Sequence, residues 1–125
     1  MGLESLGEPK YILLTTFRRD GTPVATPVWC VRDGDTLRVT TQGSSGKARR
    51  IRNNGQVTVA PCDMRGRPKG TAVSATAQID DPKRSEETAR LVKGRYGLLG
   101  WFMLRKADPD RVGITVTDVR AASAD

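Results

Sequence analysis

Histidine is absent from this 125-residue chain. That removes the commonest metal ligand and general base, so a catalytic zinc site and a Ser-His-Asp triad are set aside, and no metal site is expected. Cysteine is scarce. Cys30 and Cys62 form no C-x-x-C pair and fall in apolar alternating segments. They read as small buried hydrophobes in a reducing compartment. No apolar run approaches the ~20 residues of a membrane span. The opening Met1-Gly-Leu-Glu-Ser lacks the basic and apolar regions of a secretory signal. A cytoplasmic location without membrane contact is the expectation. Aromatics are few, two each of Trp, Tyr and Phe. None alternates as the stacking platform that single-strand nucleic-acid binders present, so a basic small-barrel nucleic-acid binder is the remote reading. There is no internal repeat and no low-complexity segment.

Positive charge is plentiful. Twenty-one Lys and Arg face 14 Asp and Glu, for a net charge of +7 and a pI near 10.0. Anionic partners are favoured; nucleic acid, anionic lipid and a polyanionic cofactor all fit the charge alone. The length predicts a single domain, residues 1–125, able to bury a core without a disulfide or metal. The tail 119–125 reads as frayed.

Alternation places six strands. They cover 11–17, 24–31, 36–41, 56–62, 71–79 and 111–118, with Asp20-Gly21 and Asp33-Gly34 as turns. Asp81-Pro82 starts a helix: Asp81 is the cap and Pro82 fits the first helical position. Ala89, Val92 and Tyr96 form its apolar stripe, while Gly94 and Gly97 weaken its end. Residues 100–104 read as a helical turn or a lid-like segment. The fold class is mainly β, a small antiparallel barrel with two to three short helices.

The chemistry concentrates in Thr40-Thr41-Gln42-Gly43-Ser44-Ser45-Gly46-Lys47-Ala48-Arg49-Arg50. The run follows a strand and opens a short basic helix over 44–53. Free backbone N–H groups and the positive dipole end make such a place an anion site, and Lys47 adds a point charge. A P-loop does not fit: its first glycine would stand at Thr41 and its magnesium hydroxyl at Ala48. The same residues also read as an ordinary capped helix with a solvated basic face. Pro27 interrupts an otherwise strong strand, which predicts an edge, a bulge or a ligand there. Trp29 shares its face and offers an aromatic wall to a flat ring, or is a plain core tryptophan.

The string Leu14-Thr-Thr-Phe-Arg-Arg-Asp-Gly-Thr-Pro-Val-Ala-Thr-Pro-Val-Trp29 resembles the opening of the split-barrel flavin and deazaflavin oxidoreductases, the superfamily of pyridoxamine-phosphate oxidase. Within it the chain is most similar to an actinobacterial branch of coenzyme F420-dependent enzymes. Ser45-Gly-Lys-Ala-Arg-Arg-Ile51 and Val57-Thr-Val-Ala-Pro-Cys62 continue the match in order. The resemblance implies a six-stranded FMN-binding split barrel and a homodimer whose second subunit completes each cofactor groove. It implies that Thr26, Pro27, Val28 and Trp29 contact the deazaflavin ring. It implies that Thr40, Thr41, Ser45, Gly46 and Lys47 hold the phosphate, with Arg50 reaching the same anion or the acidic tail beyond. The loop 63–70 and the segment 101–104 are candidates for the subunit edge. The activity implied is hydride transfer from reduced F420 to a small or flat unsaturated substrate, with no catalytic residue assigned. The alternatives are FMN as cofactor, or a binder of F420 or another flavin without turnover. The chain departs from the FMN oxidases, which carry arginine at the position of Thr26, lysine at Val31 and arginine at Gly46. Their C-terminal Arg-x-His has no counterpart, so pyridoxamine-phosphate oxidation is not expected.

Overall fold

The structure is a computed structural model describing residues 3–7, 9–104 and 110–118. A 3-10 turn, Leu3–Leu6, precedes strands β1 (Tyr11–Phe17), β2 (Pro23–Trp29), β3 (Val31–Asp33) and β4 (Thr36–Gln42). Helix α1 (Gly46–Asn53), β5 (Gln56–Cys62), β6 (Val73–Ile79), helix α2 (Pro82–Leu104) and β7 (Arg111–Asp118) follow. All strand pairs are antiparallel, in the order β2-β1-β5-β6-β7-β4-β3. The edge strands β2 and β3 are separated in the chain by Cys30 alone. A sheet whose two edges lie one residue apart has to curl on itself, and the result is a half-barrel.

That link explains the one difference in strand count. The expected single strand over 24–31 is split at Cys30, so seven strands stand where six were expected. The Cys30 N–H still reaches Lys10 O, at 3.3 Å. Its thiol donates to Pro9 O. Burial pushes that thiol up to about 12, so it remains protonated as a packing group.

Alternation fills the barrel. Ile12, Leu14, Leu37, Val39, Val57, Val59, Ala75, Ala77, Ile114 and Val116 form one buried cluster, joined by Leu3 from the N-terminal turn. Helix α1 closes one end of it with Ile51 and Ala48. The other face of β4 and β7 lies under α2. Asp81 accepts the Arg84 N–H at the start of α2, as its capping pattern predicts. Gly97 sits at φ 59°, ψ −132°, breaking the helix where the glycines weaken it, yet helix resumes to Leu104. The side chains of 98–104 and the tail 119–125 lie outside the described residues.

Beneath α2 sits a fully buried arginine. Arg38 donates to Thr88 Oγ1 (3.0 Å), to Asp33 Oδ2 (2.7 Å) and to Arg84 O (3.3 Å). Thr88 and Thr115 donate in turn to the Asp80 carboxylate, at 3.3 and 2.7 Å. Helix, sheet and the β3–β4 hairpin are thereby bonded together through polar groups centred on a guanidinium shielded from water. Gly113 leaves room for them: a Cβ there would lie 2.7 Å from Asp80 Oδ2 and 2.9 Å from Thr88 Oγ1. Gly113→Ala is therefore expected to destabilise the fold by about 2 kcal/mol, within the range for overpacking a tight core. Urea denaturation measures it. A midpoint equal to that of Gly94→Ala, at a helical glycine with open space around it, would mean that the network tolerates displacement.

Candidate functional site

The predicted anion loop lies where the chain leaves the barrel wall. In β4 the odd positions Leu37 and Val39 face the core, and Thr41 continues that row to the barrel end. The Gly43–Ser44 turn then carries the chain into α1. Ser45 is the helix cap, its hydroxyl accepting the Ala48 N–H at 3.3 Å. That hydroxyl also lies 3.5 Å from Thr41 Oγ1. Lys47 Nζ reaches the same Thr41 hydroxyl at 3.3 Å. Arg50, one turn on, donates from Nε to Thr16 Oγ1 at 2.6 Å. Gly46 lets that guanidinium fold back: a Cβ there would lie 2.8 Å from Arg50 Nη1.

Five of the predicted phosphate residues therefore converge: Thr41, Ser45, Gly46, Lys47 and Arg50. Thr40 does not join them. It pairs with Gly113 and points to the α2 side of β4, where its hydroxyl is buried and unpartnered. Two neighbouring strand residues cannot share one face.

The charge at this place is uncompensated. Lys47 and Arg50 are both half-buried, and among the described residues neither forms an ion pair with a carboxylate. Desolvation lowers the Lys47 pKa from its ordinary value, and the Arg50 charge lowers it further. Such a pair is poised for an anion. Beside it opens a 670 Å³ pocket lined by Phe17, Arg18, Arg19, Arg49, Arg50 and Asn53, among others.

The predicted ring residues divide between two faces. β2 is an edge strand, one of the three settings expected for Pro27. Thr26 and Val28 pair with Leu14 and Ile12 and share their inner face. That face ends at Thr16, the residue holding Arg50. Pro27 and Trp29 pair with Leu13 and Tyr11 on the outside. The loop after β5 covers this side, with Gly66 packed against Pro27. Trp29 stacks on Tyr96 of α2, 4.7 Å between ring centroids at 21°, and meets Tyr11 at 6.5 Å. The Tyr96 hydroxyl reaches the carbonyls of Lys10 (2.7 Å) and Cys30 (2.5 Å), pinning the helix to the β2–β3 crossover.

Three supporting residues were missed from sequence: Thr16, Arg52 and Asp110. Thr16 was within reach, since it alternates with Ile12 and Leu14 at the end of β1. Arg52 donates back to Gly43 O at 2.6 Å, and Asp110 accepts from Ser44 at the same turn. No spacing signals a contact 66 residues apart.

A family model described as pyridoxamine 5'-phosphate oxidase matches residues 3–122. The chain belongs to that family. The curled antiparallel sheet capped by helices is the family's split barrel. An F420 reductase of known structure is 27% identical over 95% of this chain and 94% of its own, with a TM-score of 0.58. The General Stress Protein 26 from Bacillus anthracis is 22% identical, covering 93% of this chain and 85% of its own at a TM-score of 0.65. HutZ, the haem storage protein from Vibrio cholerae, is 18% identical, covering 94% and 91% at 0.67. The last two show the fold alone. A search of curated proteins finds no match. Among the described residues no cluster of metal-ligating side chains occurs, and no helix is long and apolar enough to cross a membrane.

Desolvation of Lys47 gives the expected anion site a signature. An anion beside Nζ favours the charged form and raises that pKa. Between the lowered and the raised value, binding takes up a proton, so affinity falls as pH rises through the alkaline range. NMR titration of the Lys47 ammonium should give a midpoint below that of free lysine, moving upward when phosphate is added. An unmoved midpoint would leave Lys47 outside the anion site.

Proposed function

We propose that this chain binds the deazaflavin coenzyme F420 and acts as a reductase on a small or flat unsaturated substrate. One observation carries the reading: Lys47 and Arg50 are half-buried, form no ion pair with a carboxylate among the described residues, and converge with the Ser45 and Thr41 hydroxyls at the start of α1. Hydroxyls, an ammonium and a guanidinium are a phosphate donor set, and a side chain at Gly46 would close the space that Arg50 uses. The donor set therefore fits a phosphorylated cofactor. Family membership and the 27% identity to an F420 reductase support the deazaflavin.

When bound, reduced F420 supplies a hydride. The rest falls to the protein. Lys47, Arg50, Ser45 and Thr41 hold the phosphate and fix the register of the cofactor along the barrel end. Arg18, Arg19 and Arg49 line the adjoining pocket and suit an acidic tail. On the edge strand, Thr26 and Val28 from the inner face and Pro27 and Trp29 from the outer are the residues that would contact the ring. The residues of this site bind and orient, and none is assigned a proton. The bare edge of β2 and the exposed Met64 (70% accessible) suit a second copy of the chain, so the working unit is a homodimer.

Side-by-side fluorescence titration with F420 and FMN tests the reading. F420 is expected to bind more tightly. Lys47→Ala removes a charge-assisted hydrogen bond, which weakens F420 by roughly 10–100-fold. A deazaflavin fragment without phosphate should bind both proteins alike. Lys83→Ala, at the start of α2, is the matched control. Equal weakening of both ligands, or of neither, would place the phosphate elsewhere, and tighter FMN binding would reassign the cofactor.

A further inference from the structure

A hydroxyl stands in the apolar inner row of β1. That row runs Ile12, Leu14, Thr16, and Thr16 is 1% exposed. Valine would fill the same shape without a polar atom, and a buried hydroxyl is costly unless it is bonded. The β5 partners of β1 end at Thr15, one residue short of it, so Thr16 sits at the end of the barrel wall. Its bond is to α1: Arg50 donates from Nε to Thr16 Oγ1 at 2.6 Å. Gly46 frees the other end of the same guanidinium, since a Cβ there would lie 2.8 Å from Arg50 Nη1 and 3.5 Å from Cζ. Arg50 is thus fixed along one edge by β1 and given room along another by the first residue of α1.

We propose that Thr16 is a positioning residue of the anion site, one that commits Arg50 to hold an oxyanion end-on, through Nη1 and Nη2 together. The inference rests on the phosphate reading of Lys47 and Arg50 given above. A guanidinium offers two forks to a pair of oxygens, a side-on fork of Nε with Nη2 and an end-on fork of Nη1 with Nη2. Thr16 takes the single Nε proton, which closes the side-on fork. Among the described residues no side-chain hydrogen bond uses Nη1 or Nη2. The end-on fork lies beside Gly46, and Gly46 and Arg50 line the same 670 Å³ pocket. The Arg50 charge also depresses the Lys47 pKa, so the two cations lie within each other's field. Charge alone does not need this arrangement. A loose arginine attracts any anion, a halide as well as a phosphate. A guanidinium held along one edge favours an anion that brings two oxygens to its fork. The entropy of ordering that long side chain is then lost on folding and not on binding.

Inorganic phosphate and bromide are the probes, titrated into isotope-labelled protein and followed at the amides of Gly46, Lys47 and Ala48. Thr16→Val keeps the shape and every charge and removes the acceptor. Phosphate affinity is expected to fall roughly 3–10-fold, the worth of one hydrogen bond put out of line. Bromide affinity should stay unchanged. Thr16→Ser restores the acceptor and with it the phosphate affinity. Arg50→Lys keeps the charge and loses the fork, so it should cost phosphate about as much as Thr16→Val, and the double variant no more than either. In the free protein, solvent exchange of the Arg50 Nε–H should be slow in wild type and Thr16→Ser and fast in Thr16→Val. Thermal melting checks that each variant is folded, and Thr16→Ala gives the same readout should Thr16→Val melt early. Phosphate affinity unchanged by Thr16→Val overturns the inference while leaving the phosphate site intact. Equal loss of phosphate and bromide assigns Thr16 to the packing of α1 and overturns it too, as does an additive double variant. If neither anion shifts those amides in wild-type protein, the phosphate reading falls and this one with it.

Discussion

The structure depends on a charge that cannot reach water. Arg38 stands on the outer face of β4, sealed beneath α2, and is 1% exposed. A buried guanidinium is tolerable only when its N–H groups are bonded and its charge is answered. Asp33 answers it from the β3–β4 hairpin, and Thr88 with Arg84 O accepts from the helix. The same threonine passes the chain of bonds to Asp80, at the junction of β6 and α2. Hydrophobic contacts alone would let α2 slide along the sheet. This network admits one position. It also holds β3, β4 and β7 in register, and β4 is the strand that ends at Thr41 and aims the turn into α1.

A second constraint sets the barrel's open side. Only Cys30 separates the two sheet edges, so the sheet must curl, and β2 is left at the edge of the sheet. Tyr96 fastens this crossover by sharing its hydroxyl between two carbonyls, and Trp29 packs against the Tyr96 ring. The outcome is an edge strand bonded on one side, toward β1. Fold and site are coupled through that strand. Its inner row leads from Val28 through Thr26 toward Thr16 and Arg50, and its outer row supplies the aromatic wall.

Local pattern made much of this legible. Alternating apolar residues in 11–17, 56–62 and 111–118 mark the barrel-facing row of each strand, and the observed bounds agree. Asp81 before Pro82 and the weak point near Gly97 are each decided within a few residues, so each could be read; the helix expected from 44 begins instead at Gly46, with Ser45 as its cap. The bend at Cys30 could not, because nothing local breaks a run as apolar as Pro27–Val31; only the pairing of the two edges does. Arg38 was equally hidden. An arginine in a strand ordinarily marks the solvent face, and here α2 covers it. The resemblance grouped Thr40 with Thr41 and treated Thr26–Trp29 as one surface. Strand geometry divides both groups, sending alternate residues to opposite sides. Asp110 lay beyond sequence reasoning because its contact with Ser44 is purely tertiary.

The central claim is that the start of α1 is the cofactor phosphate site. Amide chemical-shift mapping tests it most directly. On addition of F420 to isotope-labelled protein, the largest shifts are expected at the amides of Ser45, Gly46, Lys47 and Ala48. Thr41 should follow, and the β3–β4 turn at Asp33–Gly34 should stay silent. Shifts that spare 45–48 while appearing elsewhere on the barrel would contradict the account.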